Sequence, residues 1–376
     1  MRQIKLLIVL TAVILTGCSQ LNKASDYITN PTAKEVYKRD FNLSDSLFTL
    51  WNNQVDLALK DSVQVELPYA EKGKFLPRAF PVYSYEVSLT PGELFNFEIE
   101  TDSIKELVFI DVFRRTTDSL NPYKKVESAA FGAKQFTFEA KEKGNFKVVI
   151  QPAIEANSPF LLKMIKSPAY LFPVASYTNS AIQSLWGAQR DGGARSHEGI
   201  DIFAKRGTPV VAATSGRVTY TGEKGLGGKQ VWLRDSRRGQ SLYYAHLDSI
   251  KPISGSVKVG DTLGFVGNTG NARTTPPHLH FGIYKNFEGA IDPLSFVFLP
   301  KPLNLDNLED EIPNKILTKA VTANLRNKPT TSGSKIIGSS KAQDTLQILG
   351  KSKDWYHIRT PENKASFIHQ SLVKPI

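Results

Sequence analysis

Glycine is concentrated in one part of this chain. Residues 171–300 carry 18 of its 26 glycines, and short apolar runs lie between them at 210–213, 230–233, 241–245 and 279–284. Glycine weakens helices and is favoured in tight turns. This pattern therefore predicts a turn-dense β domain with little helix over residues 171–300.

The region before this domain has a period of two. Within residues 63–170, apolar side chains alternate with polar ones, and turn signals such as Pro91-Gly92 separate the runs. Alternation places one face of each strand in a core. It predicts an antiparallel β-sandwich with a structural or adhesive role, because the region holds no catalytic constellation.

The remaining segments complete a mostly β, multidomain chain. Residues 18–62 are predicted to form a polar tether, as far as about Arg39, and a helix over residues 44–61 with Ser44 as its N-cap. Residues 301–316 have the prolines and acidic cluster typical of a linker. Residues 317–376 are predicted to be a small β unit that folds on its own.

The first 17 residues are predicted to be a lipoprotein signal peptide. Arg2 and Lys5 precede an apolar run, residues 6–15, that is too short to span a membrane. Residues 15–18, LTGC, resemble a bacterial lipobox, which implies that Cys18 is acylated and becomes the mature N-terminus. Cys18 is the only cysteine, so an intrachain disulfide and a thiolate metal ligand are both excluded.

Lipidation of Cys18 predicts a location in the cell envelope, anchored in a membrane. Ser19 follows it, which is typical of proteins held at the periplasmic face of the outer membrane. The net charge is +11, and loss of the signal peptide lowers it by two. This charge suits solubility or an anionic wall or membrane. No tight basic run is present, so nucleic-acid binding is excluded.

Four of the six histidines lie within residues 197–280, in two motifs with metal-site spacing. His197 and Asp201 form an H-x-x-x-D element, His278 and His280 form an H-x-H element, and His246 stands between them. Residues two apart on a strand share a face, so His278 and His280 point the same way. Imidazole and carboxylate suit a catalytic zinc, which takes three protein ligands.

These motifs resemble those of the lysostaphin-type zinc metallopeptidases of peptidoglycan. The likeness covers about residues 185–295, in the segments RSHEGIDI (195–202), GTPVVAA (207–213), YAHL (244–247), VGD (259–261) and PHLHF (277–281). The segment NARTTP (271–276) departs from the family pattern. We expect this departure to change the rim of the cleft, and so substrate preference, without changing the ligands.

The resemblance implies a role for each of the five residues. His197, Asp201 and His280 would bind one Zn²⁺ per chain, His278 would be the general base, and His246 would help hold or protonate the tetrahedral oxyanion. Three nearby residues have weaker signals. Arg195 is a candidate for contact with the substrate or a ligand, Glu198 is expected to point away, and Asp292 is expected to be a turn residue.

The C-terminal unit resembles a bacterial SH3-like barrel. Residues 325–329 (LRNKP) and 354–359 (DWYHIR) carry the likeness, whereas the usual closing Gly-Trp-Val is replaced at residues 366–368 by SFI. The resemblance implies the fold, and wall-peptide binding remains an option. His357 and His369 are predicted to be solvent-facing strand residues.

A peptidase that acts on envelope proteins is a weaker third option, and two functions fit these observations best. One is a zinc endopeptidase that cuts peptide cross-links of peptidoglycan, and the other is a non-enzymatic wall-binding regulator or scaffold on the same fold. Family members without activity typically lack ligands, whereas all five positions are filled here, which favours the enzyme. Peptidoglycan is the expected partner in both cases, and the sequence leaves the oligomeric state open.

Overall fold

The computed structural model describes residues 26–103, 105–306, 308 and 312–376. The predicted signal peptide and Cys18 lie outside the described residues. The fold class is confirmed, because strands dominate three successive β units. Along the described residues, no helix has both the length and the apolar character that crossing a membrane requires.

Before the first strand, the described residues include the helices α1 (Ala33–Asp40) and α2 (Asp45–Ala58). The prediction that Ser44 is an N-cap is confirmed, because its hydroxyl accepts a hydrogen bond from the Leu47 amide at 3.3 Å. A hydroxyl in this position satisfies one of the free amides at a helix start.

The sequence predicts a tether up to about Arg39, but α1 occupies the end of that stretch, residues 33–39. Thr32 and Glu35 form a capping box at its start. Tyr37 is 2% exposed and packs on Trp51 of α2. The Trp51 indole donates to the Pro152 carbonyl at 2.9 Å. The prediction is therefore wrong over α1, because one aromatic side chain docks the helix onto the β structure.

The N-terminal β unit is a two-sheet sandwich. One sheet has the order β2-β7-β4-β5, the other contains β1-β8-β3-β6, and a common apolar core lies between them. The strands are β1 (Tyr69–Lys74), β2 (Tyr83–Leu89), β3 (Glu93–Thr101), β4 (Val108–Arg115), β5 (Tyr123–Ser128), β6 (Gln135–Glu139), β7 (Gly144–Pro152) and β8 (Pro159–Pro168).

The glycine-rich unit is built on an antiparallel sheet of order β17-β14-β15-β16-β19-β12-β9, with β10 and β11 as a separate hairpin. Strands β13 and β18 pair with each other, β18 also pairs with β16, and β20 pairs with β19. The strands are β9 (Ile182–Ser184), β10 (Gln189–Arg190), β11 (Arg195–Ser196), β12 (Ile200–Phe203), β13 (Pro209–Val211), β14 (Gly216–Glu223), β15 (Lys229–Asp235), β16 (Gln240–Ile250), β17 (Gly255–Val257), β18 (Thr262–Val266), β19 (His278–Lys285) and β20 (Gly289–Ile291).

A one-turn helix, α3 (Leu294–Val297), ends this unit and packs against the sandwich. Arg238 joins the same two units, because its guanidinium donates to both carboxylate oxygens of Glu139 at 2.6 and 3.0 Å. The Arg238 side chain is only 8% exposed, and it also contacts Asp235 at 3.1 Å. This mostly buried ion pair fixes the orientation of the glycine-rich unit on the sandwich.

The C-terminal unit comprises β21 (Lys315–Thr318), β22 (Thr322–Arg326), β23 (Ile336–Lys341), β24 (Thr345–Ser352), β25 (Trp355–Arg359), β26 (Ala365–His369) and β27 (Val373–Pro375). Its strand β24 pairs with β1 of the sandwich, with Lys72 opposite Lys351 and Gly73 opposite Gly350. The two units therefore share one sheet, of order β23-β22-β26-β25-β24-β1-β8-β3-β6.

His357 lies at this junction. It is 0% exposed, and its Nδ1 lies 3.0 Å from the Glu71 Oε1 of β1. The prediction that His357 faces solvent is wrong, because alternation along β25 cannot reveal that a second unit covers that face. A Cβ at Gly350 would lie 2.2 Å from the same carboxylate, so glycine is needed there for the approach.

Candidate metal centre

Pairing of β12 with β19 brings the two predicted motifs together. Asp201 lies directly opposite His280, and Phe203 lies opposite His278. Leu279 is completely buried in the core, so the alternation of β19 turns both histidines to the other face. The sequence predicts that His278 and His280 share a face of β19. The pairing of β12 with β19 then brings the Asp201 carboxylate to the same face.

The donor atoms of His197, Asp201 and His280 form a compact cluster. The His197 Nε2, Asp201 Oδ1 and His280 Nδ1 atoms are 3.0 Å apart in each of the three pairs. Tetrahedral zinc with bonds of about 2.0 Å separates its ligand atoms by about 3.3 Å. The three residues thus fit a zinc ion in the type of their donor atoms, their number and their spacing.

Contacts behind the cluster fix the orientation of His197. Its Nδ1 lies 2.8 Å from the Leu185 carbonyl, and only a protonated Nδ1 can donate to that oxygen. The Nε2 atom, which faces Asp201 and His280, therefore carries the free lone pair. This backing hydrogen bond is the arrangement that metal-binding histidines usually have.

Gly199 makes the close packing of His280 possible. A Cβ at this position would lie 2.7 Å from the His280 ring and 2.6 Å from the Phe281 carbonyl oxygen. Either the strand backbone or the His280 ring would have to shift to accept that atom. The glycine inside the H-E-G-I-D segment is thus required by contact with the second motif.

The electrostatics of the cluster favour a cation. Burial would raise the pKa of Asp201, but the close contacts with the His197 and His280 rings outweigh burial and hold that pKa far below its usual range. Burial lowers the pKa of His280. At neutral pH the cluster therefore presents one carboxylate and a neutral His280, which are the protonation states that bind metal.

His246 and His278 stand beside the cluster. Their Nδ1 atoms lie 2.9 Å from the carbonyls of Thr269 and Pro276 respectively. Those carbonyls require the proton on Nδ1 and leave each Nε2 free. The two rings are 5.1 Å apart, and the His246 ring is 5.8 Å from that of His280. All five residues singled out in the sequence thus meet in one place.

The backbone at His246 is unusual for a strand residue. Its φ is 61°, in the left-handed region, and the register of β16 with β15 shifts between Tyr244 and Leu247. Such a bulge turns a side chain away from strict alternation. Burial, together with His280 and His278, lowers the pKa of His246 to about 4, so its ring is neutral at neutral pH.

An open cleft of about 750 Å³ surrounds the five residues, and all of its lining comes from the glycine-rich unit. The turn at 225–228 and the loop at 269–276 form its rim. A Cβ at Gly270 would lie 2.2 Å from the Leu226 carbonyl, so these two segments touch. The Asn268 amide donates to the carbonyls of Arg273 and Thr275 at 3.3 and 3.1 Å. The loop that departs from the family pattern is thus held by its own hydrogen bonds.

Two of the weaker sequence signals have clear positions. The Glu198 carboxylate is exposed and accepts a hydrogen bond from the Tyr284 hydroxyl at 3.2 Å, away from the three donors. Asp292 accepts from the Leu294 amide at 2.9 Å, which confirms it as a turn residue. Arg195 is exposed on β11 at the cleft.

The sequence reasoning missed Arg190. Its Nη2 donates to the Asp201 Oδ2 at 2.7 Å, so it contacts a candidate ligand directly. The Gly192-Gly193 pair between Arg190 and Arg195 is the signal that could have revealed it. A tight turn there pairs Arg190 with Arg195 in a hairpin that leads into the first motif.

Comparison with known proteins places this geometry in a class. Residues 195–293 match Peptidase family M23, and residues 321–374 match the Bacterial SH3 domain family. The chain therefore contains an M23 peptidase domain and, after it, a bacterial SH3 domain.

Two curated relatives match this chain over part of their length. The DD-carboxypeptidase/endopeptidase Mpg of Neisseria meningitidis serogroup B is 34% identical over 192 residues, which are 51% of this chain and 38% of the relative. The L-Ala–D-Glu endopeptidase of Bacillus subtilis is 38% identical over 136 residues, 33% of this chain and 41% of the relative. The match thus spans less than half of either relative.

Among solved structures, the catalytic domain of lysostaphin from Staphylococcus simulans is 34% identical. The alignment covers 30% of this chain and 89% of that domain, with a TM-score of 0.28.

Proposed function

We propose that this protein is a zinc-dependent endopeptidase that hydrolyses peptide cross-links of bacterial peptidoglycan. The observation that carries the proposal is the cluster of three donor atoms at mutual distances of 3.0 Å, with two further histidines beside it in an open cleft. The M23 match and the names of the two curated relatives support a peptide bond of the wall as substrate.

Each of the five residues has a definable role in this reaction. His197, Asp201 and His280 would hold the ion, which when bound supplies Lewis acidity towards the scissile carbonyl and a lowered pKa for water. The free Nε2 of His278 accepts the proton of the attacking water and returns it to the leaving amine. His246 would help hold the tetrahedral oxyanion after its free Nε2 has taken a proton from the solvent that fills the open cleft.

The open cleft also supports a polymeric substrate. Its lining residues lie between Ser184 and Tyr284, and the sandwich contributes none of them. This lining supports access of a cross-linked wall peptide to the site.

The proposal is tested with purified peptidoglycan and the protein that starts at Cys18. We expect clearing of turbidity, loss of clearing with a chelator, and recovery on addition of zinc. Mass spectrometry of the released muropeptides identifies the bond that is cut. His280→Ala is the control for contaminating hydrolases. Undiminished clearing by this variant, or no new muropeptide from the unaltered protein, rejects the proposal in favour of a non-enzymatic wall-binding scaffold.

We also propose that Cys18 carries a lipid that anchors the protein at the periplasmic face of the outer membrane. The lipobox-like segment at residues 15–18 and Ser19 after it support this location. Detergent partitioning and membrane fractionation of the unaltered protein and Cys18→Ala provide the test. Membrane retention of Cys18→Ala at the unaltered level would reject the lipid anchor.

A further inference from the structure

Arg190 bridges two side chains at the metal centre. Its Nη2 donates to the Ser184 hydroxyl and to the Asp201 Oδ2, both at 2.7 Å. The Arg190 side chain is 31% exposed and that of Asp201 is 10% exposed. An ion pair in such a partly buried position is screened less by water than one on the surface.

The two oxygens of the Asp201 carboxylate therefore have separate partners. Oδ1 is 3.0 Å from both His197 Nε2 and His280 Nδ1, whereas Oδ2 faces the guanidinium of Arg190. The carboxylate cannot rotate without breaking the contact to Arg190. We propose that Arg190 is a positioning residue that holds Asp201 with Oδ1 alone directed at the metal. This inference rests on the proposed metal site.

The chain path strengthens this argument, because Arg190 connects the segments that carry two of the ligands. Ser184 ends β9 and lies opposite Asp201 of β12. Arg190 belongs to the β10–β11 hairpin, and the backbone of His197, the next residue after β11, bonds back to Ala188 at 2.8 Å. A shift of Arg190 would therefore move His197 relative to Asp201.

Arg190 also acts on the site through its charge. The positive guanidinium repels a bound cation and leaves the ion a stronger Lewis acid, so removal of Arg190 weakens zinc binding only if the lost positioning of Asp201 outweighs the lost repulsion. Partners behind metal ligands tune affinity or activity by about 10- to 100-fold when they are removed. Arg190 is the residue that makes this contact to Asp201 here.

Arg190→Met tests the inference, because it keeps the length of the side chain but removes the guanidinium. Zinc affinity is measured by competition with a chromophoric chelator, and the melting temperature is measured on metal-free protein. We expect zinc to bind about 10- to 100-fold more weakly, with kcat reduced and KM little changed. The zinc affinity of Arg190→Lys should lie between those of the unaltered protein and Arg190→Met, because an ammonium keeps the charge but lacks the planar array of donors.

Two controls separate positioning from other effects. Arg217→Met removes an exposed positive charge from β14 and should leave zinc affinity unchanged. Ser184→Ala removes the hydroxyl that accepts from Arg190 and should weaken zinc binding less than Arg190→Met does. This variant keeps the test available if Arg190→Met fails to fold. Unchanged zinc affinity in Arg190→Met, with a lower melting temperature, would show that Arg190 only stabilises the β10–β11 hairpin. If the unaltered protein binds no zinc, the proposed function itself fails.

Discussion

Glu71 and His357 are 286 positions apart in the chain, yet their side chains are in contact at 3.0 Å and neither is exposed. Glu71 belongs to the sandwich and His357 to the SH3-like unit. The contact shows that these two units meet through a buried polar pair as well as through β1 and β24.

We predict that His357→Ala destabilises the whole protein. It leaves the Glu71 carboxylate buried without this partner, and breaking a buried pair costs about 3 kcal/mol or more. The measurement is urea unfolding followed by fluorescence. Lys328→Met is the matched control, because it removes a pair with the exposed Glu66 between the same two units and should cost less than about 1 kcal/mol. Equal effects of the two variants would contradict the prediction.

His278→Ala should separate chemistry from metal binding. The His278 ring lies outside the three-donor cluster, so zinc content should stay close to one per chain. Activity should fall by about 100- to 10,000-fold, because a general base is lost. Zinc content by atomic absorption and muropeptide release are measured on the same sample. A loss of zinc as large as that in His280→Ala would count against this assignment.

Gly199→Ala should damage the site through packing. The added methyl group would meet both the His280 ring and the Phe281 carbonyl, so one of them must shift. We expect zinc affinity to fall by about tenfold or more, as for other losses of ligand support. Gly144→Ala serves as the control, because its new Cβ meets only ordinary contacts, the nearest at 3.8 Å. Unchanged zinc affinity in Gly199→Ala would show that the chain at this position shifts without disturbing the metal site.

Lys147 should make stability depend on pH in alkaline solution. Burial lowers the pKa of Lys147 to about 8, and its Nζ donates to the carbonyls of Leu59 and Asp61 at 2.7 and 2.6 Å. Between about pH 8 and its ordinary value near 10.4, the unfolded chain binds more protons than the folded protein, so the free energy of unfolding rises with pH.

The measurement is the difference in unfolding free energy between the unaltered protein and Lys147→Met, taken from pH 7.5 to 10.5. This difference removes the contribution of the buried tyrosines, which is common to both proteins. We expect it to shift in favour of the unaltered protein as pH rises. A difference that does not vary over this range would mean that Lys147 titrates normally.

The sequence was sufficient to predict the cluster of His197, Asp201 and His280, because short motifs encode it. The period of two in strand β19 orients His278 and His280 together, and three residues, including Gly199, lie between the two members of the first motif. Arg190 escaped notice because its partner Asp201 is reached across a hairpin, and pairing across a turn of that kind leaves no periodic signal. The same limit applies to His246, whose bulge depends on the register of neighbouring strands.

The arrangement of the units was less predictable for a related reason. Alternation along β25 predicts that His357 faces away from its own small core, which is correct, but the sandwich covers that outer face. The C-terminal unit, expected to fold alone, would expose His357 and the edge of β24 if it were excised. Contacts between distant segments depend on complementary surfaces, and the sequence pattern of one surface does not identify its partner.

Sharing of one sheet by β1 and β24 has a consequence for the integrity of the molecule. The sandwich precedes the peptidase unit in the chain and the SH3-like unit follows it, yet these two units share one sheet. The peptidase unit is therefore an insertion between two parts of the same sheet. A proteolytic cut between residues 301 and 314 would break the covalent path but not the ladder that joins β1 to β24. The cleaved C-terminal unit would stay bound to the sandwich and would separate only in denaturant. A single cut in this segment would therefore not release it, as it would in a protein whose domains are joined only by a linker.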